Sequence, residues 1–218
     1  MARRAAADSR ESLKNQDIHK LRRRNWPRCG ALTGHRRTQA NLLPKDKDTP
    51  MSWFSKDVKS LDDLFVHTLR DIYYAENQIL KSLPNMVQQA TEPKLKQGFE
   101  KHLRETENQI KRLEEVFRLH GAEVQGIDCP AIDGILEEAD ETSGEVENPR
   151  LLDAALIFSA QAVEHYEITR YGSLVAWAKL LGRQDCADLL AQNLAEEHAA
   201  DKALNELAEG GVNQRAAA

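Results

Sequence analysis

Glu164 and Glu167 stand three residues apart, one helical turn, with Tyr171 following at helical spacing. Both fall on a stripe otherwise made of Leu152, Leu156, Ala160, Val163, Leu174 and Ala178. Glu76 shares a face with Ile72, Ile79 and Leu83. Further on, Leu190, Leu194, Glu197, Asp201, Leu204 and Ala208 form a heptad-like stripe with two acids in its middle. His102, Glu105 and Gln109 lie together beside the stripe that carries Phe99 and Leu113. Carboxylates converging in a dry core cannot all stay ionised unless something positive sits among them. Two divalent ions would do this. Oxygen ligands favour iron or manganese, with calcium and magnesium also compatible. Arg or Lys partners are the alternative. Arg70, Lys81, Lys111 and Lys202 look surface-directed by period, whereas Arg170 could reach inward.

Four amphipathic segments must position these groups. Ser60 followed by Asp62 and Asp63 starts a helix predicted over 60–90, with acids at the positive end of its dipole and Pro84 kinking its last turn. Pro93 opens a second, which stops at Gly121. Asn148-Pro149 starts a third that ends at Gly182, and a fourth ends at Gly210-Gly211. No stretch alternates as a strand would, so the expected class is all-α. Short links make the first and last pairs antiparallel. Residues 121–148 are long enough to run the length of a helix, which would leave the second and third helices parallel. The expected fold is therefore a four-helix bundle with one long crossover, the arrangement of ferritin-like proteins. That crossover is read as mostly non-helical, with a short helical piece near Ala131–Glu141.

Charge divides the chain of 218 residues in two. Residues 1–50 carry 13 Lys/Arg against 5 Asp/Glu; residues 51–218 carry 17 against 30. The acidic body argues against nucleic-acid binding, leaving only a weak possibility through residues 1–50. That basic segment has sparse, aperiodic apolar residues and is read as a disordered extension, with Met51 as an alternative start. Residues 51–213 are assigned to the bundle and 214–218 to a disordered tail. No run of 18 apolar residues exists, so no membrane span is expected. Cys29, Cys129 and Cys186, without a CxxC, fit a reducing cytoplasm rather than a disulfide framework or a zinc site.

The strings LDDLFVHTLRDIYYAENQI, FEKHLRETENQIKRLEEVF, DCPAIDGILEEA, DAALIFSAQAVEHYEITRYGSL and LAEEHAADKALNELA resemble the ferritin-like stress-protein family typified by bacterial YciF and YciE. The resemblance runs from Leu61 to about Asn213. It implies a four-helix ferritin-like fold, a dinuclear metal centre and a cytoplasmic stress-response setting. Carried over by position, the ligands would be Glu76, Glu105, Glu164, Glu167 and Glu197, with Asp201 or Glu196 as neighbour. The Glu-x-x-His pattern of broader ferritins is missing: Glu105 is followed by Asn108, and Glu196 and Glu197 by Ala199 and Ala200. His102, one turn before Glu105, could ligate in its place, and Gln109 is a further candidate. Such a mostly carboxylate centre should be less selective for iron.

The expected function is a ferroxidase that oxidises Fe(II) with O2 or peroxide at two divalent ions, iron first and manganese second. A homodimer is the expected assembly. The competing reading is a non-enzymatic stress-related bundle acting through dimerisation or partner binding. Tyr73, Tyr74 and Tyr171 are read as core or rim aromatics, one of them able to hydrogen-bond a metal-bound carboxylate.

Overall fold

The structure is a computed structural model in which residues 58–218 are described. The basic extension, residues 1–50, and the segment opening at Met51 lie outside the described residues. Among the described residues there is no strand. Five long helices follow one another: α1 (Leu61–Gln89), α2 (Pro93–His120), α3 (Pro130–Glu145), α4 (Pro149–Leu180) and α5 (Gln184–Leu207). The four helices expected from the sequence are α1, α2, α4 and α5.

Their ends are set by local chemistry. Ser60 Oγ accepts from the Asp63 amide at 3.0 Å and donates to the Asp63 carboxylate at 2.7 Å, which ties off the free end of α1. Asn148 does the same for α4, accepting from the Arg150 amide at 3.0 Å. Pro93 and Pro149 occupy first-turn positions, where no amide is missed. Gly121 ends α2 at φ 78°, a left-handed conformation that residues with a Cβ adopt at a cost. α1 continues through Pro84 to Gln89.

Cross-helix contacts establish direction. The start of α1 meets the end of α2: Phe65 stacks near His120 with ring centroids 4.9 Å apart, and Tyr73 meets Phe117 edge-on at 5.7 Å. Asp71 near the start of α1 accepts from Arg170 late in α4 at 2.8 Å, while Thr91 just past α1 donates its amide to Asp153 early in α4 at 2.7 Å. Gln161 reaches Asp201 and Asn193 reaches Tyr171, so α4 and α5 are antiparallel. Gln109 reaches Glu197, and Arg183 reaches the Leu119 carbonyl, so α2 and α5 are antiparallel as well. With α2 and α4 both antiparallel to the same neighbours, those two helices run parallel, as the long 121–148 connection requires.

That connection is more ordered than expected. α3 extends from Pro130 to Glu145 and packs on α4 and α1, burying Ile132. The approach to it is close. The Ile127 amide donates to the Arg70 carbonyl, and a Cβ on Gly126 would lie 3.2 Å from Tyr74 Cβ. The helix runs four residues past the Ala131–Glu141 piece read from the sequence, and Ile132 anchors its first turn in the core. The C-terminus also departs from expectation. α5 ends at Leu207 and passes through a wide turn, Ala208–Val212, in which Gly211 takes φ 129°. A last helical turn, α6 (Asn213–Ala216), follows. Residues 213–216 are therefore helical rather than a free tail, and Arg215 pairs with Glu92.

Candidate metal centre

At mid-height the core changes character. Above and below, it is Leu, Ile, Phe and Ala; between, Glu76, His102, Gln109, Glu164, Glu167, Asn193 and Glu197 are all buried. Each stands on the inward stripe that the helix period builds, one layer contributed by α1, α2, α4 and α5. Ligand atoms of His102, Glu164, Glu167 and Glu197 all lie within 4.8 Å of one another. His102 Nε2 is 3.5 Å from Glu164, and its Nδ1 is 4.0 Å from Glu197. Glu76 sits beside this group and is coupled electrostatically to Glu164, Glu167 and Glu197.

Buried polar atoms without a hydrogen bond concentrate at the cluster, with Arg70 Nε and His120 Nδ1 as outliers elsewhere. Glu76 Oε2, Glu164 Oε2, both oxygens of Glu167, Glu197 Oε2 and both His102 ring nitrogens are buried with no donor or acceptor from outside the cluster; Glu76 faces Glu167 and Glu164 faces Glu197, pairs that can bond only by sharing a proton. Buried polar atoms are ordinarily paired, so this concentration of lone pairs matches the donor set of a bound cation. Among the described residues, no Arg or Lys reaches into the cluster or forms an ion pair with Glu76, Glu164, Glu167 or Glu197. Arg112, held by Glu196, acts on Glu76 only from the layer outside it. Arg170, which the sequence left free to turn inward, instead pairs with Asp71 and lies over the Tyr166 ring.

Electrostatics follows from that geometry. Burial pushes the Glu76 carboxyl up to about 8 and the Glu164 carboxyl up to about 8. Burial, and then the charges of the neighbouring carboxylates, drive Glu167 and Glu197 well above the usual carboxylate range. Burial pulls His102 down to about 4, leaving a neutral imidazole suited to ligation. Without a cation the cluster keeps protons; a divalent ion would displace them.

A second layer holds these groups in place. Tyr171, fully buried, donates to Glu76 and accepts from Asn193 at 3.0 Å. Arg112 donates to Asn193 at 2.9 Å and grips Glu196 with two bonds of 2.7 and 2.9 Å. Gln109 bridges Glu196 and Glu197 at 3.1 and 2.5 Å. Glu196 is thus neutralised by Arg112 outside the cluster. Tyr171 is the aromatic that meets a cluster carboxylate, while Tyr73 and Tyr74 bond to Glu114 and Asp133 at the rim.

Of the six acids singled out in the sequence, Glu76, Glu164, Glu167 and Glu197 come together. Glu105 and Asp201 do not join them. Glu105 pairs with Lys101, and Asp201 accepts from Gln161 and faces His165 at 3.3 Å. The inward row of α2 runs Phe99, His102, Thr106, Gln109, Leu113, which turns Glu105 to its flank and makes His102 the α2 donor. On α5 the row runs Leu190, Asn193, Glu197, Leu204, with Asp201 at its edge. Arg112 and Asn193 were missed; Asn193 lies one turn before Glu197, and Arg112 follows Gln109 by three residues, the spacing at which side chains on one helix face meet.

An all-helical protein with a buried carboxylate–imidazole cluster at the centre of its core is the class that this fold and site define. Residues 60–217 match the family described as Domain of unknown function (DUF892), and the chain belongs to that family. It is 40% identical to Protein YciF of Escherichia coli (strain K12) over 161 residues, 73% of this chain and 97% of that protein. The crystal structure of the E. coli stress protein YciF matches with a TM-score of 0.68, covering 71% of this chain and 98% of that one. YcfI of Rhodopseudomonas palustris, described as a candidate structural protein, is 54% identical with a TM-score of 0.68, covering 70% of this chain and 98% of that one. The resemblance read from the sequence is thereby borne out. Among the described residues no helix is long and apolar enough to cross a membrane.

Proposed function

We propose that the chain is a ferritin-like four-helix protein with a di-metal centre, and that it acts as a ferroxidase in a stress response. α1, α2, α4 and α5 form the bundle, and 121–148 with α3 is its crossover. His102, Glu164, Glu167 and Glu197 would hold one ion, and Glu76 with Glu167 would extend the donor set to a second. A single imidazole among carboxylates favours iron or manganese over calcium and magnesium. Fe(II) would be the substrate: two ions would give up two electrons in all, reducing one O2 with two protons to H2O2, or one H2O2 with two protons to two waters. The chain's residues keep the site dry, supply anionic oxygens that favour Fe(III), and release the protons held by Glu76 and Glu164.

The observation that carries this reading is the convergence of unpartnered donor atoms from four helices. Unpaired Cys129 and Cys186 support a reducing, cytoplasmic setting. Leu151 and Phe158, exposed seven residues apart on α4, support a homodimer through that face. The stress role is carried from the E. coli relative. In the second reading, favoured by the missing Glu-x-x-His motifs, the same cluster holds a redox-silent ion and the protein is a structural or partner-binding bundle. Anaerobic Fe(II) titration followed by exposure to O2 separates them. Saturation near two Fe(II) per chain with an Fe(III) absorbance on oxygenation is expected. Saturable binding without oxidation would leave the second reading, and no saturable Fe(II) or Mn(II) binding would overturn the centre itself.

A further inference from the structure

Between the first half of α2 and the second half of α5 lies a cleft of about 150 Å3. Leu95 and Phe99 wall it on one side, Leu204 and Leu207 on the other. Its inner end is formed by His102 and Glu164, two members of the candidate centre. The His102 side chain is only 8% exposed and both of its ring nitrogens lack a partner. Lys101 and Glu105 also line the cleft and pair with each other, and Glu164 at its inner end is held protonated by burial, so it presents no net charge to a ligand near neutral pH.

Gly98 borders the same cleft. A glycine inside a helix costs about 0.5–1 kcal/mol relative to alanine. The backbone there is helical, and a Cβ would meet no atom within 4 Å, so neither conformation nor packing demands glycine. A large side chain at this position would instead occupy the cleft. On α5 the lining runs from Ala199 to Leu207, a length of about 12 Å. That is too short a strip to seat a partner helix. The volume is that of a small molecule: a sealed Leu/Ile/Phe-lined cavity of about 150 Å3 binds benzene, and this cleft offers the same volume with one side open to solvent.

We propose that this cleft admits a small, uncharged, apolar organic molecule of benzene size and holds it against the His102–Glu164 edge of the core cluster. As an assignment of substrate class this rests on the di-metal reading. As a binding site it does not, because the apolar walls and the clearance at Gly98 are independent of any ion.

The test uses the full chain, with and without Mn(II), and benzene as the probe, followed by NMR shifts of the Phe99, Leu204 and His102 side chains. Saturable binding is expected, with ring-current shifts at all three residues. Gly98→Ala should retain it. Gly98→Leu and, from the other wall, Ala203→Phe should each weaken it at least tenfold while the thermal midpoint holds or rises. Absence of saturable binding up to the solubility of benzene would overturn the proposal, as would unchanged binding in both filled variants. Benzene binding without Fe(II) or Mn(II) binding would leave the cleft standing and remove the metal reading; metal binding without benzene binding would do the reverse.

Discussion

Stripping metal from the protein and raising the pH from 5 to 8 should destabilise it steeply. An ordinary glutamic acid titrates at 4.5, and burial raises Glu76 and Glu164 to about 8. Below pH 4.5 the folded and unfolded chains both hold these protons, and no penalty arises. Between 4.5 and 8 only the folded chain holds them, so stability falls as pH rises. At pH 7.5 one such group taken alone costs about 4 kcal/mol; because the two carboxyls interact, the pair costs less than twice that. Glu167 and Glu197 act in the same direction. His102, lowered to about 4, acts oppositely between pH 4 and 6.5, so the clean window is 6.5 to 8. Net stabilities of domains are about 5–15 kcal/mol, so the loss is a large share of the whole, and water entering the cluster would moderate it. Urea denaturation of chelator-treated protein at half-unit pH steps is the assay, with a fall of at least about 3 kcal/mol expected from pH 6.5 to 8. Mn(II) at 100 times its Kd should return about 2.7 kcal/mol at pH 7.5. A flat profile in metal-free protein would refute the argument, because it would mean that the four carboxyls are not desolvated together.

Glu167→Gln keeps the shape and removes one acid; metal affinity should fall about 10-fold or more, while metal-free stability at pH 7.5 holds or rises, read by titration calorimetry and urea melts. Destabilisation of the metal-free form with unchanged metal content would indicate a hidden cationic partner instead. Tyr171→Phe removes the hydroxyl between Glu76 and Asn193, and should cost about 1–3 kcal/mol in a chemical denaturation series. Asp153→Ala should cost about 2–4 kcal/mol, because that carboxylate accepts from both amides and the hydroxyl at the α1–α2 turn, Thr91 N, Thr91 Oγ1 and Glu92 N. A loss below about 0.5 kcal/mol would show that the turn finds other partners.

Helix limits were legible in the chain, because they depend on near neighbours in sequence. Ser60, Pro93, Gly121, Asn148 and Pro149 act on amides and carbonyls within a few residues, and no tertiary contact is needed to read them. The sequence by itself also determined the parallel course of α2 and α4, since the length of 121–148 permits the crossover and the short links do not. That acids from several helices meet in the core followed from the 3.6-residue period. What period alone could not resolve was the choice among residues some 60° apart on one helix face, such as His102 and Glu105. Either orientation satisfies an amphipathic stripe. Only the packing of α1 and α5 against α2 turned His102 inward, toward Glu164 across the core, and Glu105 toward Lys101. Contacts between residues distant in the chain were equally out of reach: Arg112 on Glu196, Asn193 on Tyr171, and Arg215 on Glu92 depend on which surfaces meet. The full length of α3 belongs with these, because its weakly apolar sequence becomes a helix of 16 residues by packing against α4 and α1.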